Sequence, residues 1–138
     1  MEKSGYIKKL TAIAILVLFT LTQCVPDDND DMDLRDRLIG DWTCTETATL
    51  NPNPMTFTVN ITKDMLTTDE IYIHNFYHLG FNEKAKAVVS ANSINLPSQI
   101  VCDLKIEGAG TYSQNRINMN YIVNDGADID TVSAVFTR

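Results

Sequence analysis

The chain has 138 residues, 44% of them hydrophobic, with 11 basic against 18 acidic side chains and a formal net charge of −7. That length holds one hydrophobic core and excludes a pair of catalytic domains. The acidic balance argues against a nucleic-acid partner, because such affinity rests mostly on Lys and Arg neutralising phosphates.

The first element in chain order is an export signal. Residues 1–10 carry Lys3, Lys8 and Lys9, and residues 11–21 (TAIAILVLFTL) form a short apolar run, the n-region and h-region of a signal peptide. The run is shorter than the roughly 20 apolar residues a spanning helix needs. Leu21-Thr22-Gln23-Cys24 follows it and resembles the lipobox of bacterial lipoproteins, with Gln23 in place of the usual small residue. The resemblance implies that residues 1–23 are removed, that Cys24 becomes the lipidated first residue, and that the lipid holds the protein to a membrane. Loss of Glu2 and the three lysines leaves eight basic against seventeen acidic side chains, a charge near −9.

Residues 24–33 make the second element. Behind Cys24 stand Asp27, Asp28, Asp30, Asp31 and Asp33 with no basic residue among them, a composition that stays solvated and reads as a tether. An acidic stretch in this place also resembles the surface-export signal of Bacteroidota lipoproteins; a merely soluble linker is the alternative. The spacing from Asp27 begins like an EF-hand, but Met32 stands where that loop needs glycine and Leu38 where it needs glutamate.

Residues 34–138 form the domain. Residues 33–39 (DLRDRLI) read as one or two helical turns, with Asp33 as N-cap, Leu34 and Leu38 on one side, and Gly40 as the stop. Beyond Gly40 the hydrophobic period becomes two. Trp42, Cys44, Ala48 and Leu50 alternate with threonines; after Asn51-Pro52-Asn53-Pro54, so do Met55, Phe57, Val59 and Ile61, which predicts a hairpin. Further strands are expected at Ile71 and Ile73, near Val88, at Ile94 and Leu96, at Cys102, Leu104 and Ile106, and from Ile117 through Met119 and Tyr121 to Val123. The last is expected over residues 129–137. Turn signals recur every eight to twelve residues or so, at Asn92-Ser93, Gly108 to Gly110, Gln114-Asn115 and Asp125-Gly126, which predicts an all-β antiparallel barrel of about eight strands, with a β-sandwich as the alternative.

Gly40-Asp41-Trp42 after a short helical turn resembles the G-x-W opening of lipocalins, and Arg138 stands where that family places an arginine against the tryptophan. Residues 75–80 (NFYHLG), 94–99 (INLPSQ) and 108–123 also resemble a group of small lipocalin-like lipoproteins of Bacteroidota. The resemblance implies a lipocalin-like barrel closed at one end by Trp42 and Arg138. It implies an envelope address and no reaction.

Several residue groups are candidates for chemistry. His74 and His78 would share a helix face, but on extended chain they stand about 13 Å apart, too far to share an ion bound at about 2 Å; no metal or cofactor is expected. Cys44 and Cys102 alternate with inward residues and are candidates for a disulfide, two buried free thiols being the alternative. Tyr72, Phe76, Tyr77 and Phe81 concentrate aromatic surface and are candidates for a binding patch, or pack under a loop. Paired carboxylates such as Asp69 with Glu70 and Asp128 with Asp130 read as solvated turn residues. Asp130-Thr131-Val132 matches a short O-glycosylation motif of exported Bacteroidota proteins, making Thr131 its acceptor, although the same letters suit an ordinary strand start.

No catalytic fingerprint stands among these motifs, and an enzyme is not expected. The expectation is a cell-envelope lipoprotein, outer-membrane or surface displayed, acting as a non-catalytic binding or interaction module for a protein, a glycan or a small apolar ligand. A lipocalin-like carrier with an internal pocket is the alternative. Large residues such as Trp42, Met55, Phe57, Leu104, Met119, Tyr121 and Phe136 are expected inside a ring barely wide enough to be filled or to hold one small ligand.

Overall fold

A computed structural model describes residues 32–138. The signal peptide, Cys24 and the tether up to Asp31 lie outside the described residues. Residues 34–138 carry eight strands: β1 (Gly40–Ala48), β2 (Met55–Lys63), β3 (Glu70–His74), β4 (Lys84–Ser90), β5 (Ser93–Val101), β6 (Leu104–Ser113), β7 (Arg116–Asn124) and β8 (Ile129–Thr137). Each pairs antiparallel with the next, and β8 returns to β1. The result is a closed up-and-down barrel of lipocalin-like kind. Closure removes every sheet edge and sets aside the sandwich.

Inward residues follow the period of two. On β1 they are Trp42, Cys44 and Glu46, on β7 Ile117, Met119, Tyr121 and Val123, and on β8 Asp130, Val132, Ala134 and Phe136, all buried. Three departures from the expected inward set stand out, the first two with identifiable causes. β4 turns Ala85, Ala87 and Val89 inward and Val88 outward, because two alanines carry too little apolar weight to mark the face. In β5 the register shifts between Leu96 and Gln99, and this bulge reverses the parity, so that Val101 is buried and Ile100 exposed. Across the bulge the Gln99 amide accepts from Lys86 N–H at 2.8 Å and donates to Lys86 C=O at 2.7 Å, replacing ladder bonds. The third departure is that Met55 is exposed and Leu104 only half-buried.

The chain enters at one end through a 3-10 turn (Leu34–Arg37), where the Asp33 carboxylate accepts from Arg35 N–H at 3.0 Å. The buried residue of that turn is Arg35, while Leu34 is exposed and Leu38 fully buried. Arg35 binds Asp33 through two nitrogens and donates to the carbonyls of Asp64, Thr67 and Glu70. One guanidinium thus ties the entry turn to the β2–β3 loop. Beside it Trp42 donates Nε1–H to Leu38 C=O at 2.7 Å, and Arg138 lies over the indole, its Cζ 4.3 Å from the ring centroid. This is the entry end. The antiparallel order gathers the β1–β2, β3–β4, β5–β6 and β7–β8 loops at the other end, the mouth.

Candidate functional site

The mouth is crossed by the β3–β4 loop. In it Asn75, Tyr77 and His78 all hold φ near +55° (59°, 52° and 57°), a region costly for side-chain-bearing residues and kept only where surroundings over-determine it. Two anchors do so. The Asn75 amide donates to Thr58 C=O at 2.7 Å and accepts from Gly80 N–H at 2.8 Å. Phe76 is buried with its ring centroid 4.6 Å from that of Tyr121. Tyr121 reaches the axis because β6 presents glycine there: a Cβ on Gly108 would sit 2.4 Å from Tyr121 Cβ.

Below this loop lies a buried polar cluster. Glu46 Oε1 accepts from the Tyr121 hydroxyl and, at 3.7 Å, from the Cys44 thiol. Asp130 accepts from Thr49 Oγ1 at 2.9 Å and Leu50 N–H at 3.0 Å through one oxygen, and from the Tyr77 hydroxyl at 2.9 Å through the other. A cavity of about 210 Å³ opens between the two carboxyls, walled by Met55, Tyr77 and His78 and rimmed by Asn51 and Asn53. A second recess of about 150 Å³ lies across Tyr77, beside Asp125 and Asp128.

The two carboxyls are pushed in opposite directions. Burial raises Glu46, only partly offset by the Tyr121 hydroxyl. Burial also opposes ionisation of Asp130, but the donors from Leu50, Thr49 and Tyr77 outweigh it and hold this group below the usual carboxylate range. Burial and Asp130 push Tyr77 up to about 12, and burial with the Glu46 charge raises Tyr121 and the Cys44 thiol. Cys44 is therefore a thiol and a poor nucleophile.

The structure disperses several groups that the sequence joins. Cys44 and Cys102 are both free. Cys102 stands outside the barrel on the two-residue β5–β6 turn, with φ of 50° there and 65° at Asp103, the pair a type I′ hairpin demands. The alternation Cys102, Leu104, Ile106 thus runs out into a turn, and no bridge to Cys44 exists. The four aromatics form no common patch. Phe76 enters the core, Tyr77 divides the mouth, Phe81 is exposed on the loop, and Tyr72 sits outside β3, its hydroxyl donating to Asp64 at 2.8 Å and its ring 3.8 Å from Lys84 Nζ.

His74 ends β3, with Nε2 3.0 Å from Thr62 Oγ1. His78 lies on the Phe76–His78 turn rather than on extended chain, and stacks on Phe57 at 5.0 Å. Among the described residues no group of three or more His, Cys, Asp or Glu is placed to hold a metal. Thr131 is exposed at the start of β8, while Asp130 beside it is buried rather than a solvated turn residue.

Glu46 and Asp130 were missed as a pair, yet a signal exists. Each shares parity with apolar inward residues of its strand, Glu46 with Trp42 and Cys44, Asp130 with Val132 and Phe136. A carboxylate in phase with a buried face is the mark of a satisfied polar site. Compared with known proteins, the chain matches no family model and shows no significant similarity to a curated protein.

Proposed function

We propose that this chain is a cell-envelope lipoprotein, anchored through Cys24 at the outer membrane, whose barrel is a non-catalytic binding or interaction module. The observation that carries the second half is the occupied interior. Trp42, Phe76, Tyr121 and Phe136 are each at most 2% exposed, and they take the space an apolar ligand would use in a hollow barrel. The mouth cavity, about 210 Å³, is smaller than the roughly 300 Å³ at which pockets for drug-sized ligands begin. A carrier of large apolar molecules is the weaker reading.

Recognition then falls to the outer surface. Leu50, Met55, Phe81, Ile100 and Ile129 are exposed in or beside the mouth loops, away from the end at which the chain enters. A non-catalytic role is supported by the state of the buried groups: Asp130 has both oxygens engaged, and Cys44, Tyr77 and Tyr121 are held protonated. The address rests on residues 1–33, where a basic start, an apolar run, Leu21 to Cys24 and five aspartates follow in the order of a surface lipoprotein.

Two measurements test this reading. Cells fed a labelled fatty acid should label the wild-type protein and not Cys24→Ala; label retained in that variant overturns the anchor. An environment-sensitive naphthalene dye should show no saturable enhancement with the folded domain. Saturable dye binding displaced by a long-chain fatty acid would return the function to the carrier class.

A further inference from the structure

Glu46 keeps one carboxyl oxygen for the cavity. The residue is 6% exposed, and both donors it meets go to Oε1. Among the described residues nothing donates to Oε2. No buried side-chain oxygen among the described residues lacks both a partner and accessible surface, so Oε2 is reachable, and the space that reaches it is the cavity Glu46 lines. Asp130 is the contrast: both its oxygens are already engaged, one by the β1–β2 loop and the other by Tyr77, whereas Glu46 Oε2 meets no donor.

The chemistry of the guest follows by elimination. An anion would meet two carboxyls in a space of reduced dielectric. A wholly apolar molecule would strip water from Oε2 without replacing its hydrogen bond, a penalty comparable with what its own burial gains. A hard metal ion asks for several oxygens, and one is free. An ammonium group satisfies Oε2 with a charge-assisted bond, while an attached apolar body meets a tyrosine ring, an imidazole and a thioether, surfaces that suit a cation and its adjoining methylenes.

We propose that the mouth cavity is a binding site for a compact organic ammonium ion, with Glu46 Oε2 as its counter-ion and Tyr77, His78 and Met55 around its body. The site needs neither the lipid anchor nor a protein partner, so it stands or falls apart from the envelope reading. Burial that disfavours the Glu46 anion is relieved when a cation arrives.

The test uses the folded domain and three probes of one shape: benzylammonium, benzyl alcohol and benzoate, followed by backbone amide shifts. Benzylammonium should bind saturably, with the largest shifts among residues 46–55 and at Tyr77, and about tenfold or more tighter than the alcohol. Benzoate should not bind. Glu46→Gln, which keeps an acceptor for Tyr121, should lose about tenfold or more in benzylammonium affinity, with Trp42 emission confirming the fold. Should that variant fail to fold, Ala48→Leu, which narrows the cavity and leaves its charges, should weaken benzylammonium equally. No saturation, equal affinity for amine and alcohol, shifts centred elsewhere, or undiminished affinity in either folded variant each overturns the site.

Discussion

Burial opposes ionisation of both Glu46 and Asp130, but it weighs more heavily on Glu46, whereas the donors around Asp130 outweigh it. Glu46 meets two donors on one oxygen and is raised; Asp130 meets three across both and is lowered. The stability consequences have opposite sign. A folded value above the unfolded one, about 4.3 for Glu, means that the stability contributed by Glu46 is full below that pH and is lost as pH rises through the folded value. For Asp130, stability is full above about 3.9 and is lost as pH falls through a still lower folded value. Glu46→Gln should therefore remove the falling branch above about pH 4.3 and make the domain at least as stable as wild type at neutral pH. Urea midpoints measured across pH check this; a decline that persists in the variant would assign the slope to another group. These two residues also mark what was legible. Their strand parity was readable in the sequence, but whether a carboxylate in phase with a core face finds donors depends on Tyr77 and Tyr121, which lie 53 and 75 residues away in the chain.

Strands were legible where the inward side chains are large and the parity unbroken. β1, β2, β7 and β8 meet both conditions, and their hairpins follow from Asn51-Pro52-Asn53-Pro54 and from Asp125-Gly126. β4 fails the first, with Ala85 and Ala87 inside. The bulge at residues 97–98 fails the second and, with the turn at Cys102-Asp103, undid the disulfide reading. Bulge and turn are backbone events decided by pairing with a partner strand, so period counting does not see them. β6 shows the same dependence in reverse: Gly108 and Gly110 read as a turn signal, yet they are mid-strand residues where Tyr121 and Met119 lie against the backbone. Gly108→Ala should then cost about 1–3 kcal/mol through overpacking. A loss below about 0.5 kcal/mol, the range of a neutral surface change, would mean that Tyr121 does not depend on the gap. Urea denaturation followed at Trp42 gives the number.

Closing the whole ring requires β1 to meet β8 across nearly the full length of the domain, Thr43 opposite Thr137 and Ala48 opposite Val132. Such long-range pairing is costly in loop entropy before it is rewarded, so contacts that hold the two ends together matter to the molecule as a unit. Arg138, the residue after β8, reaches back to the entry turn: it donates to Ile39 C=O at 3.0 Å and Arg37 C=O at 2.5 Å, and covers the Trp42 indole. The indole donates in turn to Leu38. First strand, last strand and entry turn therefore meet at one stacked pair. Trp42→Ala should cost about 3–5 kcal/mol as the loss of a buried aromatic, a large share of the 5–15 kcal/mol typical of a domain. Arg138→Ala should cost less, because the guanidinium is exposed and stacking at such sites is worth about 0.5–1 kcal/mol. The decisive quantity is the coupling. If the pair closes the ring, the double variant should be less destabilised than the sum of the single variants by about 0.5–1 kcal/mol, measured by urea unfolding with a far-ultraviolet signal that survives loss of the tryptophan. Strict additivity, or a Trp42→Ala domain that unfolds within about 1 kcal/mol of wild type, would show that the barrel closes through its β1–β8 ladder alone and that the stacked pair merely decorates the entry end.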